Sequence, residues 1–287
     1  MKRPAEIELE ERAMGTLVEL TSVFEGIASM RIAQIKNQVL EATKFFDDLW
    51  SIYSQLRVDG LFRFGRSQSK DEIIDKELYI LITAEGGFSG DIDQKLIQHM
   101  LQTFDKQKQD IIVIGHHGAV QLAQRGIGFK KYYKLPVKDK NINILPIVQE
   151  IQKYKSTFVY YQEYISLMVQ DVKRIELSAA VKQQSKSTKK SDNEDIISEV
   201  TYIFEPTTYK VIDHLERSMM QIAVGQLILN SKLAQYASRF RAMSASHERA
   251  DEAKNDLHME YNRARRGIKD ERLKEIINGM RKSRGAV

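Results

Sequence analysis

The chain has 287 residues, of which 42% are hydrophobic, so it can bury one large core or two modest ones and is not disordered overall. Its net charge of +5, from 44 basic and 39 acidic residues, is too small to indicate nucleic-acid binding by itself. The absence of cysteine excludes disulfides and thiolate metal sites, and no apolar run reaches the ~20 residues of a membrane span. The N-terminus lacks the apolar core of a signal peptide, so we expect a soluble cytoplasmic protein or a peripheral one.

The first segment, residues 1–60, is predicted to form one long coiled-coil helix. Apolar residues recur there at helical spacing, and the only proline before Pro136 is Pro4. The expected seam comprises Leu17, Leu20, Phe24 and Ile27, then Ala28, Ile32 and Ile35, then Val39, Ala42, Phe46, Leu49, Tyr53 and Leu56. Successive steps of four raise the local period towards 3.67, so this helix should be straighter than a standard left-handed coiled coil or wind the other way.

The middle segment, residues 70–205, is predicted to be a small, wound, Rossmann-like α/β domain. Short apolar runs end in glycine-rich turns and are followed by helical patterns, as in parallel strands with crossover helices. The predicted strands are 77–83, 110–115, 156–165, 169–177 and 199–204, and the predicted helices are 92–105, 117–125 and 144–154. Residues 182–195 are polar and charged without apolar periodicity, which is typical of a mobile loop.

Two motifs in this domain contain residue types that are found in phosphate-binding or metal-binding sites. "ITAEGGFSGDID" (82–93) places Gly86, Gly87 and Gly90 after a strand and before a helix, where open α/β sheets usually bind phosphate. It matches neither common phosphate-loop pattern and carries repelling carboxylates, so we interpret it as a structural turn. "GHHGA" (115–119) has adjacent histidines that point in different directions, with no third ligand at metal spacing. We therefore predict no catalytic residue, no cofactor and no metal site.

The last segment, residues 207–287, is predicted to be a second coiled-coil helix. Stepping alternately by four and three from Leu215 gives an apolar stripe as far as Ile268, interrupted by Gln226, His247 and Lys254. The seam includes Leu229, Leu233, Tyr236, Phe240, Met243, Leu257, Tyr261 and Ile268. A sustained 3.5-residue period predicts a left-handed coiled coil. Because each larger seam side chain gains roughly 1.5 to 3 kcal/mol on burial, a partner helix is required, and the N-terminal helix is the candidate. At about 1.5 Å per residue this helix would extend roughly 100 Å, so we expect part of it to project as a shaft.

Arg263, Arg265 and Arg266 flank this stripe and need a separate explanation. They could be the solvated side of a coiled coil, or guanidinium groups that bind acidic protein loops. A basic helix that enters a DNA groove is a third possibility, which the following acidic residues of 270–275 disfavour.

Four segments resemble the gamma subunit of F-type ATP synthases, the central rotor stalk. "YNRARRGIKDERLKEIINGM" (261–280) is similar to the family's "YNRARQAxITxELxEIxxGA". "SRFRAM" (238–243), "IFEP" (203–206) and "TAEGGFSGDID" (83–93) resemble its "ARMxAM", "YEP" and "TSDRGLCGGYN". The chain departs from the family at Arg266, where the family has glutamine, and in its basic C-terminal tail.

The resemblance implies that the two terminal helices pair as an antiparallel coiled coil inside a hexameric catalytic head, and that the α/β domain lies beneath it. Arg265 and Arg266 would occupy the positions that reach acidic loops of the head, with Arg263 and Glu275 also on matching positions. The implied partners are the alpha and beta subunits of the head, the epsilon subunit and the membrane c-ring. The implied function is that of a non-catalytic rotor that couples ion-driven rotation to ATP synthesis or hydrolysis, peripherally at the cytoplasmic face of an energy-transducing membrane. The alternatives are a nucleotide-binding α/β protein with helical arms and a basic coiled-coil protein that binds nucleic acid.

Overall fold

The computed structural model describes residues 3–55, 74–136, 142–178, 205 and 207–284. The elements are α1 (Pro4–Gln55), β1 (Ile74–Ile82), α2 (Ile92–Leu101), β2 (Gln109–Ile114), α3 (His116–Gln124), β3 (Lys131–Tyr133), α4 (Leu145–Ile151), β4 (Tyr154–Tyr164), β5 (Gln170–Glu176) and α5 (Thr208–Arg284). The predicted loop at 182–195 and strand at 199–204 lie outside the described residues. The short strand β3 was not predicted. None of the helices described has a stretch apolar enough to span a bilayer.

The five strands form one mixed sheet in the order β3-β2-β1-β4-β5. The first four strands are parallel, and β5 pairs antiparallel with β4. Side chains of the central strand β1 alternate between the two faces, with Leu78 and Ile80 on one and Tyr79 and Leu81 on the other. Burial on both faces explains the continuous apolar run at this strand. The predicted wound α/β domain is confirmed.

Helices cover both faces of the sheet. Leu96 and Ile97 of α2, with Leu122 of α3, pack on one face. The other face is covered by α4 and by residues 220–228 of α5. The C-terminal helix therefore supplies part of the core of the α/β domain.

The chain divides into two compact units, Ala28–Arg239 and Met1–Ile27 with Phe240–Val287. In the unit formed by residues 28–239, α1 and α5 run antiparallel: Gln226 Nε2 donates to Thr43 Oγ1 at 3.2 Å, and Tyr53 donates to Glu216 at 3.1 Å. Moving ten residues forward along α1, from Thr43 to Tyr53, moves the contact ten residues back along α5, from Gln226 to Glu216. Burial raises the pKa of Tyr53, so its hydroxyl stays protonated and donates. Apolar packing around Phe46 and Met219 completes this helix pair.

In the other unit, the start of α1 pairs with the later part of α5, again antiparallel. His258 Nδ1 lies 2.9 Å from Glu11 Oε1, and His247 Nδ1 donates to the Val18 carbonyl at 3.1 Å. The predicted pairing of the terminal helices is therefore confirmed in each unit.

The expected seam of α1 was wrong at one place. Leu17, Leu20, Phe24 and Ile27 are exposed, at 37% to 48% of their surface. The face towards α5 instead carries Ile7, Met14, Val18 and Thr21, which are buried or half-buried. Because the facing positions on α5 include the polar His247 and Lys254, the matching face of α1 is partly polar too, and apolar spacing alone selected the wrong face.

The turn between β2 and α3 explains the two glycines of "GHHGA". Gly115 has φ +102, and a Cβ there would lie 2.0 Å from the Thr83 carbonyl oxygen. A Cβ on Gly118 would lie 2.6 Å from Thr83 Oγ1, to which the Gly118 amide donates at 2.9 Å. Close approach of Thr83 therefore excludes a side chain at both positions.

We predict that Gly118→Ala lowers the free energy of unfolding by about 1 to 3 kcal/mol, because the added methyl overpacks the contact with Thr83. Gly128→Ala is the matched control, since a Cβ at Gly128 meets nothing within 4 Å. Chemical denaturation of the two variants measures the difference, and equal stabilities would contradict this account.

Candidate functional site

The N-terminus of α3 is the position where an open α/β sheet usually holds a phosphate. Here its first three amides donate to the chain itself: His116 to Glu85 Oε2 at 3.1 Å, His117 to the Ala84 carbonyl at 3.0 Å, and Gly118 to Thr83 Oγ1 at 2.9 Å. The Glu85 carboxylate takes the place that an anion would fill. This geometry disfavours the nucleotide-binding alternative.

The glycine-rich loop after β1 is attached to α5 through its carbonyl groups. Arg239 donates to the carbonyls of Gly87 at 3.0 Å and Gly86 at 3.3 Å, and Ser238 donates to the Ser89 carbonyl at 2.7 Å. Of the three loop glycines, Gly90 adopts a positive φ of 64°. The loop therefore serves as an attachment point for the long helix.

A buried carboxylate lies behind this loop. Asp93 is 1% exposed and accepts from Gln162 Nε2 at 2.7 Å, from His117 Nδ1 at 3.0 Å and from the Ala84 amide at 3.3 Å. The hydrogen bond to Asp93 raises the pKa of His117, while burial and the charge of Arg239 act in the opposite direction. The contact with Asp93 therefore favours the imidazolium form of His117.

Gln162 links this carboxylate to α5. Its Oε1 accepts from Ser231 Oγ and, at 3.2 Å, from Gln235 Nε2. We name as the polar clasp the side chains Asp93, Gln162, Ser231, Gln235, Ser238 and Arg239. All of these except Arg239 are at most 5% exposed. Sequence reasoning missed the clasp, although the spacing of Ser231, Gln235 and Ser238 on one helical face was a signal for it.

The predicted seam residues of α5 have graded burial. Leu233 and Met243 are buried; Leu229, Tyr236, Phe240, Leu257 and Tyr261 are half-buried; Ile268 is 38% exposed. The register of the helix pair accounts for the exposure of Ile268, because α1 begins at Pro4 and does not extend far enough to cover it.

The end of α5 is exposed, and it is both basic and apolar. Arg263, Arg265, Arg266 and Glu275 are all exposed. Within the described part of the chain, none of the three arginines forms an ion pair. Leu273, Ile276 and Met280 on the same helix are 55% to 60% exposed. Such a surface can bind an acidic partner with apolar contacts beside the charges.

Metal ligation has no support in the part of the chain that is described, since no group of three histidine or carboxylate side chains there could hold an ion.

Comparison with known proteins gives consistent matches over almost the whole chain. The family model described as ATP synthase matches residues 6–281. The ATP synthase gamma chain of Clostridium novyi (strain NT) is 26% identical over 277 residues, covering 93% of this chain and 94% of the relative.

Two solved structures have the same fold. The Euglena gracilis mitochondrial ATP synthase, OSCP/F1/c-ring, contains a chain with a TM-score of 0.63 and 13% identity, covering 96% of this chain and 94% of that one. A chain in the rotor structure of the same enzyme gives a TM-score of 0.60 and 13% identity. The match covers 92% of this chain and 99% of that one.

The contact between His117 and Asp93 predicts a pH dependence of stability. Because folding raises the pKa of His117, the contact stabilises the fold fully below the ordinary value of 6.5, and this contribution is lost as pH rises through the raised pKa. We expect wild type to exceed His117→Gln in unfolding free energy at acidic pH, with a difference that shrinks in alkaline solution. Since His117 is more than a third exposed, the difference should be at most about 1 kcal/mol.

Urea denaturation of both proteins at a series of pH values measures this difference. His99→Gln, for a histidine on α2, is the control. A difference between wild type and His117→Gln that stays constant with pH would contradict the assignment.

Proposed function

The chain belongs to the ATP synthase family as a gamma chain, the central rotor subunit of the F-type complex, and on this premise we propose that the exposed end of α5 engages the catalytic head. The observation that carries the proposal is the exposed cluster of Arg263, Arg265 and Arg266, which has no ion pair among the described residues. We infer that the cluster binds acidic loops of the alpha and beta subunits.

Guanidinium groups suit this contact because their planar donors bind carboxylates in pairs. Arg263 and Arg266 are three residues apart and lie on neighbouring faces of the helix, whereas Arg265 points elsewhere. Glu275 lies further along α5 and would accept from basic groups of the head. A rotating helix with charges on different faces presents different contacts to each surrounding subunit.

Apolar surface supports the same docking. Leu17, Leu20, Phe24 and Ile27 form an exposed stripe on α1, and Leu273, Ile276 and Met280 are exposed on α5. Contiguous apolar surface of this kind usually marks a protein contact. We propose that the head covers both stripes.

Coupling follows from differences in contact energy. An asymmetric rotor favours a different conformation in each of three otherwise equivalent catalytic subunits, and rotation shifts those preferences around the ring. The gamma chain would need no catalytic site of its own for this role. The phosphate position at α3, which is filled by the chain's own groups, agrees with that assignment.

The α/β domain is proposed to bind the epsilon subunit and the membrane c-ring, which places the protein peripherally at the cytoplasmic face of an energy-transducing membrane. Its similarity in fold to a chain of an assembly that contains F1 and a c-ring supports this placement.

Replacing Arg265 and Arg266 together by alanine should weaken binding of the rotor to the head by about 100-fold or more, because charge-assisted hydrogen bonds contribute roughly 1.5 to 3 kcal/mol each. In a reconstituted complex we expect fewer protons pumped per ATP hydrolysed. Arg249→Ala is the control, since Arg249 is also exposed on α5. Unchanged pumping and rotation in the double variant would refute the arginine contact.

The apolar stripe of α1 gives an independent test. Leu20→Glu with Phe24→Glu should prevent assembly with the alpha and beta subunits, because carboxylates would be buried in an apolar contact. The isolated chain should keep its melting temperature within a few degrees, since both side chains are already exposed. Ser22→Glu, at an exposed position on the other side of the same helix, is the control. Normal assembly of the double variant, measured by co-purification, would rule out this surface.

A further inference from the structure

The polar clasp joins α5 to the α/β domain at two places. Ser231 and Gln235 contact Gln162 near the end of β4, and Ser238 and Arg239 contact the loop after β1. Ser231, Gln235 and Ser238 lie at spacings of four and three, so they share one face of α5, and Arg239 lies next to that face. The two attachment points are about two helical turns apart.

At the first place, Gln162 is satisfied at both ends of its amide. Its oxygen accepts from α5, and its nitrogen donates to Asp93 at 2.7 Å. Gln235 Nε2 also donates to Ser231 Oγ at 3.0 Å. Gln162 and Ser231 are both 0% exposed, so no water competes for these bonds. In such surroundings hydrogen bonds are strong when made and costly when broken.

Attachment of α5 to the sheet does not require these polar contacts. Met220, Val224 and Ile228 of the same helix already pack into the apolar core of the domain. Buried polar groups add little net stability compared with apolar side chains of similar size. Their distinctive property is direction, because hydrogen bonds require defined positions of donor and acceptor.

The directionality of hydrogen bonds is important in a helix that carries torque, because torque acts to rotate the helix about its own axis. Apolar packing is non-directional, so it resists small rotations of a helix about its axis less sharply than hydrogen bonds do. A rotation of about 20° moves side-chain atoms at the outer radius of an α-helix by roughly 2 Å. That displacement would break the clasp bonds, which are at most 3.3 Å long.

We propose that the polar clasp is a torque joint, in which Gln162, Ser231 and Ser238 fix the angular position of α5 on the α/β domain so that both turn together. This inference rests on the proposed function, since it assigns the clasp a role within the rotor. The three residues act as positioning groups.

The test compares the torsional stiffness of the rotor in single complexes. Because the chain has no cysteine, Lys108→Cys, at a side chain 77% exposed, gives a specific site on the α/β domain for a gold-rod label. The head is immobilised without ATP, in a complex whose other subunits lack reactive cysteines, and thermal fluctuation of the rod angle is recorded. The test variant is Ser231→Ala with Ser238→Ala, and the control is Ile228→Val, which trims the adjacent apolar contact.

The double variant removes two of the five hydrogen bonds from α5 to Gln162 and the loop. If stiffness follows the number of bonds, the angular variance should rise by about 1.5- to 2-fold, while Ile228→Val stays near wild type. The single variant Ser238→Thr keeps a hydroxyl at position 238 and leaves Ser231 in place. It should therefore retain most of the wild-type stiffness.

A double variant with wild-type variance, or an equal rise in Ile228→Val, would overturn the proposal. Circular dichroism of each full-length variant checks that it is folded. Failure of the arginine contact is distinguishable, because replacing Arg265 and Arg266 by alanine would then leave proton pumping unchanged, while the clasp variants would still lower the torsional stiffness.

Discussion

Burial of α5 on two sides at once is the constraint on which the unit of residues 28–239 depends. Met219 and Ala223 pack against α1, while Met220, Val224 and Ile228 pack against the sheet. Because these sets adjoin on the same helical turns, removing either partner would expose large apolar side chains at a cost of roughly 1.5 to 3 kcal/mol each. The helix therefore cannot separate from the domain without unfolding its core.

Beyond this apolar stretch, the partners of α5 change in order along the sequence. Residues 231–239 supply the α5 side of the polar clasp, residues 240–261 carry a stripe of buried and half-buried side chains, and residues beyond 265 are largely exposed. Under the two proposals, these stretches would serve in turn for anchoring, angular positioning, pairing with α1 and contact with other subunits. A single helix can combine these tasks because its surface chemistry changes along its length while its backbone stays regular.

Sequence periodicity predicted the elements well but their partners less well. The stripe from Leu215 identified α5 as a paired helix, and the apolar runs identified four of the five strands that the structure describes. The same reasoning placed Leu20 and Phe24 in a seam that they do not join, because spacing shows that a helix has an apolar face without showing what covers it. The clasp was missed for a related reason: Gln162 and Ser231 are distant in sequence, and the shared helical face of Ser231, Gln235 and Ser238 does not show which residues they contact.

The clasp also explains why an α/β domain with a glycine-rich loop can serve a rotor. In a nucleotide-binding domain, the loop and the helix N-terminus after it keep their donors free for phosphate. Here Glu85 and Thr83 accept the amides of α3, and the loop turns its carbonyls to Ser238 and Arg239. The amide donors that would hold a phosphate are thus used within the domain, and the loop carbonyls hold α5. Because these contacts are intramolecular, they need no ligand from solution, so the same architecture attaches α5 to the domain in the free chain.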